Sequence, residues 1–159
     1  QASLTGHLVL STLHTNSAPQ TLNRLMNMGV APYNIASSVT LIIAQRLGRR
    51  LCPQCKEQVH IPAEELINQG FRDDELNSLT IYKAVGCDQC NRGYKGRVGI
   101  YEVMPLSDEM GRIIMEGGNS IQIADQARRE GINDLRQSGL NKVRMGMTSL
   151  EEVNRVTTE

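Results

Sequence analysis

Cys52-Pro53-Gln54-Cys55 and Cys87-Asp88-Gln89-Cys90 are two Cys-x-x-Cys pairs, and they contain all four cysteines of this 159-residue chain. Each pair directs two thiolates toward one point, so two pairs provide the four sulfur ligands of a tetrahedral, structural Zn²⁺ site. Closing the 31-residue loop between the pairs costs about 3 kcal/mol, whereas structural zinc contributes about 10–16 kcal/mol. Two disulfides or a redox-active pair are the alternatives. We predict zinc because the two pairs account for every thiol.

The composition argues against two classes of protein. Hydrophobic residues make up 40% of the chain, enough for a buried core, but aromatic residues make up only 3%. Few aromatic side chains count against modules that stack nucleic-acid bases on exposed rings. No run of 18 apolar residues occurs, so the sequence predicts no membrane-spanning helix. The chain does not begin with methionine, and we expect it to be a piece of a longer protein.

The formal net charge is zero, but the charges are unevenly distributed. Residues 1–51 contain four arginines and no acidic residue. A surface without carboxylates suits a site near phosphate, although a mostly buried α/β core explains the same composition equally well. Residues 57–90 carry seven carboxylates against Arg72 and Lys83. This acidic stretch is interpreted either as a solvated surface or as a docking face for a basic partner.

The beginning of the chain is predicted to contain a buried strand. Leu8–Leu13 is a short apolar run, which is typical of a strand covered on both faces in a parallel sheet. The polar residues 14–17 follow at its carboxyl end. Ligands bind at that edge of open parallel sheets, so the sequence predicts a ligand-binding edge at these residues.

Most of the remaining chain is predicted to be helical. Ser17 begins a helix that Gly29 ends, and apolar residues recur at helical spacing over residues 32–47. Residues 98–104 alternate in character and are β-branched enough to form a strand. The other predicted elements are a helix at 63–69, a strand at 80–84, helices at 108–116 and 121–130 capped by Ser107 and Ser120, a helix at 134–144, and a final helix opening at a Ser149/Glu152 capping box.

Five stretches of the chain together match a known pattern: Thr5–Asn16, which is similar to a histidine box, Ala44–Leu47, the four cysteines, Gly93–Glu102 and Thr148–Val153. They resemble the secretion ATPase superfamily, the ring-forming motors of type II secretion and type IV pili. The resemblance covers essentially the whole chain. Residues 118–121 and 130–136 lean toward its pilus-assembly branch.

The resemblance implies an α/β fold, namely the C-terminal half of a RecA-like P-loop ATPase domain with a four-cysteine zinc insertion and a C-terminal helical region. Residues 1–51 would end the ATPase core, residues 52–90 would form the zinc-binding insertion, and residues 91–159 would form a strand and a helical subdomain. The family's phosphate-binding loop precedes the histidine box, and no Gly-x-x-x-x-Gly-Lys-Ser/Thr occurs in this chain. We therefore expect the 159-residue chain alone to be catalytically inactive.

The resemblance also implies which residues serve the nucleotide. His7 and His14 would be catalytic residues facing the nucleotide, and the residues contacting it would be Thr12, Thr15, Asn16 and Arg46. From the residues alone, a histidine at a strand end is more often a capping or surface residue. Hydroxyl and amide side chains before a helix often cap it, and arginines at a helix C-terminus stabilise its dipole.

The function that the resemblance implies is that of a homo-hexameric ATPase that powers type IV pilus assembly. ATP and Mg²⁺ would bind to the full-length protein, whereas Zn²⁺ would be structural. The motor would lie in the bacterial cytoplasm, peripheral to the inner membrane, where it would act on platform proteins without binding nucleic acid directly. The alternatives are a type II secretion ATPase of the same family and, from a different class, a non-enzymatic zinc-ribbon module that binds proteins.

Overall fold

The computed structural model describes residues 2–158, which form both helices and strands. The helices are α1 (Ala18–Asn27), α2 (Pro32–Ser38), α3 (Ala63–Gln69), α4 (Asp108–Met115), α5 (Ser120–Arg129), α6 (Leu135–Arg144) and α7 (Leu150–Thr157). The strands are β1 (Leu41–Leu51), β2 (Glu57–Val59), β3 (Ile81–Lys83) and β4 (Tyr94–Pro105), and 3₁₀ helices occupy Ala2–Thr5 and Asp73–Ser78. The predicted mixture of helices and strands is confirmed. Within residues 2–158, no helix has the length and apolar character that crossing a membrane requires.

The chain divides into two compact units. One unit comprises the described residues up to Ala44 together with Glu102–Asp134, and the other comprises Gln45–Tyr101 together with the described residues from Leu135 onward. Strands β1 and β4 pair in one two-stranded sheet, and β2 and β3 pair in another. The second sheet lies wholly within the second unit.

The first unit is built mainly from four helices. Helix α2 packs on α4, α1 packs on α5, and α4 packs on α5. Each of these helices contributes fully buried apolar side chains: Ala18, Leu22, Ile35, Met110, Ile114 and Ile123. The predicted cap of α1 is confirmed, because Ser17 Oγ accepts a hydrogen bond from the backbone N–H of Gln20 at 3.4 Å.

The prediction of a buried strand over Leu8–Leu13 is wrong. Residues 7–15 have no regular secondary structure, and Leu8 and Leu10 are each 88% exposed. A strand needs a neighbour to satisfy its backbone N–H and C=O groups, and no strand of residues 2–158 pairs with this run. Apolar composition alone therefore does not make it a strand.

The prediction of a helix over residues 32–47 is half wrong. Helix α2 ends at Ser38, and the chain continues as β1 from Leu41. Ile42 and Ala44 are buried while Leu41 and Ile43 are exposed, which is the two-residue period of a strand. Four of the five residues 39–43 are β-branched, which favours this outcome. The arginines at 46, 49 and 50 lie in β1, so they do not stabilise a helix dipole.

The second unit packs helices α3, α6 and α7 around a small apolar core. Its buried members are Leu66, Phe71, Ile81, Leu140, Val143, Leu150 and Val153. Strand β2 runs antiparallel to β3, with Glu57 opposite Lys83 and Val59 opposite Ile81. The predicted helix at 63–69 and the strands near 80–84 and 98–104 are confirmed.

Two of the three helix caps predicted in the C-terminal region, Ser107 and Ser149, are confirmed, and the third is wrong. Ser107 Oγ accepts from the N–H of Met110, and Ser149 Oγ accepts from the N–H of Glu152. Helix α5 is capped by Asn119 rather than Ser120. In the predicted Ser149/Glu152 capping box, the Glu152 carboxylate would also accept a hydrogen bond from the Ser149 N–H. It binds two arginines instead, so only the Ser149 half of the box forms.

Candidate metal centre and histidine segment

The sulfur atoms of Cys52, Cys55, Cys87 and Cys90 all lie within 4.8 Å of one another. The Cys52–Cys87 Sγ separation is 3.9 Å, that of Cys55 and Cys90 is 3.7 Å, and that of Cys87 and Cys90 is 3.6 Å. A tetrahedral ion with metal–sulfur bonds of about 2.3 Å places its sulfur ligands about 3.8 Å apart. The four thiols are free, so the structure does not show the two-disulfide alternative. The arrangement fits one metal ion with four sulfur ligands.

Strands β2 and β3 bring the two cysteine pairs together across 31 intervening residues. Strand β2 begins two residues after Cys55, and its antiparallel partner β3 ends four residues before Cys87. The Cys52 N–H donates to the Gly93 carbonyl at 2.9 Å, which ties the first pair to the turn after the second. The antiparallel register therefore sets the separation of the pairs.

The turn after the second pair requires glycine. Gly93 has φ +88°, and a Cβ there would lie 2.6 Å from the Ala84 Cβ and 2.7 Å from the Val85 backbone nitrogen. Both contacts are far inside van der Waals distance, and one of them is to backbone that cannot move aside cheaply. Gly93 therefore lets the second cysteine turn lie against the end of β3.

Backbone N–H groups surround the sulfur atoms, as a cluster of thiolates requires. The Gly86 N–H donates to Cys55 Sγ at 3.4 Å, and the Cys87 N–H donates to Cys90 Sγ at 3.3 Å. Desolvation opposes ionisation of Cys90, but hydrogen bonds from the Cys87 and Gly93 backbone outweigh it and lower the pKa of Cys90 to about 7. For Cys87, a backbone hydrogen bond from Gln89 favours the thiolate, but desolvation and the neighbouring thiols raise the pKa to about 12. A divalent cation would remove that conflict by binding all four thiolates.

The metal centre is tied to the loop between α6 and α7. Lys56, which follows the first pair, donates from Nζ to the Gly146 carbonyl at 2.8 Å and lies 4.4 Å from the centre of the Tyr82 ring. The N–H of Leu51, which precedes the first pair, donates to the Met147 carbonyl at 2.9 Å. Residues on either side of the cysteine pair thus fix its position on the helical part of this unit.

Glu152 lies at the centre of a charged cluster that no sequence pattern indicated. Its side chain is fully buried and accepts from the N–H of Arg49 at 2.9 Å, from Arg49 Nε at 3.1 Å and from Arg49 Nη2 at 2.8 Å. Arg155 also donates to it through Nε at 3.1 Å and through Nη2. Burial opposes ionisation, but the hydrogen bonds from Arg155 and Arg49 outweigh it and lower the pKa of Glu152 to about 2.

The remaining neighbours of this cluster complete its hydrogen bonds. The Arg49 guanidinium lies 4.1 Å from the centre of the Tyr94 ring, whose hydroxyl is 2.7 Å from Ser149 Oγ. Thr148 Oγ1 donates to the Arg49 carbonyl at 2.8 Å. The cluster therefore joins β1, β4 and α7. A Thr-Ser-x-x-Glu pattern before a helix can indicate a cap, but it contains no signal for the distant arginine.

The histidine segment, defined as residues 7–17, is mostly exposed. His7 Nδ1 lies 3.1 Å from Thr5 Oγ1, and His14 and Thr12 are exposed. Thr15 Oγ1 lies 2.7 Å from Thr21 Oγ1 in α1. The two histidines are thus not buried at the ends of a strand. The segment instead leads His14 directly into the N-terminus of α1.

Two further residues that were predicted to contact the nucleotide are Asn16 and Arg46. Asn16 is exposed at the turn before α1. Arg46 lies in β1, where its Nη1 donates to the Gln45 carbonyl at 3.1 Å. Their predicted contacts with a nucleotide stay predictions.

Comparison with known proteins gives consistent matches. The family described as type II/IV secretion system protein matches residues 1–155. The chain is 60% identical over its whole length to the type IV pilus assembly ATPase PilB of Pseudomonas aeruginosa and 56% identical to that of Acinetobacter baylyi, and it covers 28% of each. It is 46% identical over its whole length to the type II secretion system ATPase E of Vibrio cholerae, of which it covers 31%. The chain thus spans less than a third of these relatives.

Proposed function

This chain belongs to the type II/IV secretion system protein family, and from that premise we propose that it is part of an ATPase motor for type IV pilus assembly. The single observation that carries the proposal is 60% identity over the whole chain to a type IV pilus assembly ATPase. The resemblance in sequence motifs and the match over residues 1–155 both support it. A stand-alone zinc-ribbon module is disfavoured, because the match extends far beyond the cysteines on both sides.

The proposed chemistry is ATP hydrolysis by the complete protein. The histidine segment supplies His14 close to the start of α1, together with the hydroxyl and amide groups of Thr12, Thr15 and Asn16. Imidazole and hydroxyl groups can bind phosphate oxygens or order the attacking water. We assign His14 the catalytic role and His7 a supporting one, with Arg46 as a further nucleotide contact. These 159 residues would form the C-terminal half of a RecA-like domain, and ATP and Mg²⁺ would be held mainly by the part of the full-length protein that precedes the histidine segment.

The proposed role of the four cysteines is to hold one structural Zn²⁺. Four sulfur ligands at tetrahedral spacing leave no coordination position for substrate, so the ion would stabilise residues 52–90 and take no part in catalysis. The domain limits that accompany this proposal are residues 1–51 for the ATPase core, 52–90 for the zinc insertion and 91–159 for the strand and helical subdomain.

The proposed assembly is a homo-hexamer in the bacterial cytoplasm at the inner face of the inner membrane. Its partners would be the platform proteins of the pilus machinery, and it would not bind nucleic acid. A neutral net charge and an aromatic content of 3% support the exclusion of nucleic acid. A type II secretion ATPase is the second candidate, because the chain is also 46% identical to one.

The decisive experiment compares the full-length protein with the 159-residue chain. We expect Mg²⁺-dependent ATP hydrolysis by the full-length protein and none by the shorter chain. Gene deletion in the source bacterium, followed by separate measurement of surface pili and of secreted proteins, distinguishes the two candidates. Loss of pili with normal secretion supports the pilus motor, and the opposite result supports the secretion ATPase. Hydrolysis by the 159-residue chain would contradict the assignment of the principal ATP contacts to the rest of the protein.

A further inference from the structure

Glu102 is a buried carboxylate with no role in the chemistry proposed so far. Burial alternates along β4, and Ile100, Glu102 and Met104 occupy successive buried positions. Glu102 is only 3% exposed. A carboxylate at a position that the pattern otherwise fills with apolar side chains costs free energy unless it is hydrogen-bonded. Burial raises the pKa of Glu102, the hydrogen bond from Ala18 lowers it, and the charge of Asp134 raises it further, so the pKa lies above its usual range.

The partner of Glu102 is the first backbone N–H of α1. Within that turn Pro19 has no N–H, the Gln20 N–H donates to Ser17 Oγ at 3.4 Å, and the Thr21 N–H donates to the Ser17 carbonyl at 3.3 Å. The Ala18 N–H has no acceptor within its own turn, and Ala18 is fully buried. Glu102 Oε2 accepts from it at 3.3 Å. A strand residue 84 positions away in sequence thus completes the cap of α1.

A second contact joins the start of α1 to the histidine segment. Thr21 Oγ1 donates to the Ser17 carbonyl at 3.1 Å and lies 2.7 Å from Thr15 Oγ1. Thr15 directly follows His14. Few contacts therefore separate β4 from His14. Glu102 binds the N–H of Ala18, which directly follows the turn at Ser17. The contact between Thr15 and Thr21 then holds the residue next to His14.

We propose that Glu102 is a positioning residue that fixes the start of α1 and, with it, His14 for ATP hydrolysis. The inference rests on the proposed function, since it assigns a role toward the same reaction. Glu102 acts as a hydrogen-bond acceptor at the positive end of the helix dipole and does not itself contact the nucleotide. Loss of the acceptor leaves a buried N–H unpaired and frees the turn at Ser17, which follows His14 in the chain.

A matched pair of substitutions in the full-length protein tests this role. Glu102→Gln keeps the shape and an acceptor oxygen, whereas Glu102→Met keeps a side chain of similar size but has no acceptor for the Ala18 N–H. We expect Glu102→Gln to hydrolyse ATP close to the wild-type rate. We expect Glu102→Met to lose about 10²-fold in kcat, the cost of a small misplacement of a catalytic group, with KM for ATP nearly unchanged. Thermal unfolding and metal content check that both variants fold.

Amide hydrogen exchange of residues 15–21 in the same proteins gives a readout that does not depend on catalysis. Exchange there should be faster in Glu102→Met and unchanged in Glu102→Gln. Equal kcat values for the two variants, or unchanged exchange in Glu102→Met, would overturn the positioning role. A wild-type protein that hydrolyses no ATP would overturn the proposed function instead, and the exchange rates would still decide whether Glu102 holds this turn.

Discussion

The Glu152 cluster gives the prediction that the structure specifies most fully. Glu152→Gln removes the charge of a fully buried carboxylate that accepts five hydrogen bonds from Arg49 and Arg155. A fall in pKa from 4.5 to about 2 corresponds to about 3 kcal/mol of folding free energy at pH 7. The two arginine side chains are 45% and 56% exposed, so solvent screening reduces this value, and we expect a loss of about 2 kcal/mol.

The pH dependence of that loss follows from the direction of the shift. A carboxyl group whose pKa is lowered in the folded protein contributes its full stabilisation above pH 4.5 and loses it as the pH falls toward about 2. Urea denaturation of wild type and variant between pH 7 and pH 3 therefore measures a difference that shrinks with acidity. Both proteins carry the same four cysteines, so metal loss at low pH affects them alike.

Glu151→Gln is the matched control, because Glu151 is exposed in the same first turn of α7. It removes an equal charge and should cost only about 0.3–1 kcal/mol through the helix dipole. Equal losses for the two variants, or a Glu152→Gln loss that does not change with pH, would refute the electrostatic account of this cluster.

Three further predictions follow from the metal centre and the histidine segment. Native mass spectrometry of reduced protein should show one zinc ion per chain, and Cys87→Ser should abolish it; an iron-bound or metal-free wild-type chain would contradict the zinc assignment. Gly93→Ala should cost about 1–3 kcal/mol more than Gly96→Ala in thermal or urea unfolding, because both glycines have positive φ but only a Cβ at Gly93 meets other atoms; equal costs would show that the contact at Ala84 relaxes freely. In the full-length protein, His14→Ala should lower kcat for ATP by about 10²–10⁴-fold with little change in ATP affinity, and His7→Ala should have a smaller effect; near-normal turnover by His14→Ala would make that residue structural.

The cysteine site shows how far local sequence carries a prediction. Each Cys-x-x-Cys pair places two thiols within one turn, so the four candidate ligands follow from spacing alone. The helix caps at Ser17, Ser107 and Ser149 are equally local, because each joins a side chain to an N–H three residues away. The family, too, could be identified from short motifs. Roles for His7, His14, Thr12, Thr15, Asn16 and Arg46 stay predictions.

Strand assignment marks the limit of such local reasoning. The apolar run Leu8–Leu13 has the composition of a buried strand. A strand forms only where a neighbouring strand accepts and donates its backbone hydrogen bonds, and local sequence does not show whether such a neighbour is present. For residues 41–47 the error was the opposite one, because a helix was predicted and the chain forms a strand. Their apolar side chains satisfied a helical period, and pairing with β4 selected the strand instead.

The sequence by itself determined the two cysteine pairs of the candidate metal site, the helix caps at Ser17, Ser107 and Ser149, and the family, because each depends on residues a few positions apart or on motifs read in order. Only the tertiary structure identified the hydrogen-bond partners of Glu102 and Glu152, which lie 84 and 103 residues away. A carboxylate in sequence is by default a solvated surface group. Packing removes these two from water, and burial then makes each hydrogen bond necessary. The burial of these two carboxylates therefore depends on the packing of β4 against α1 and of β1 against α7.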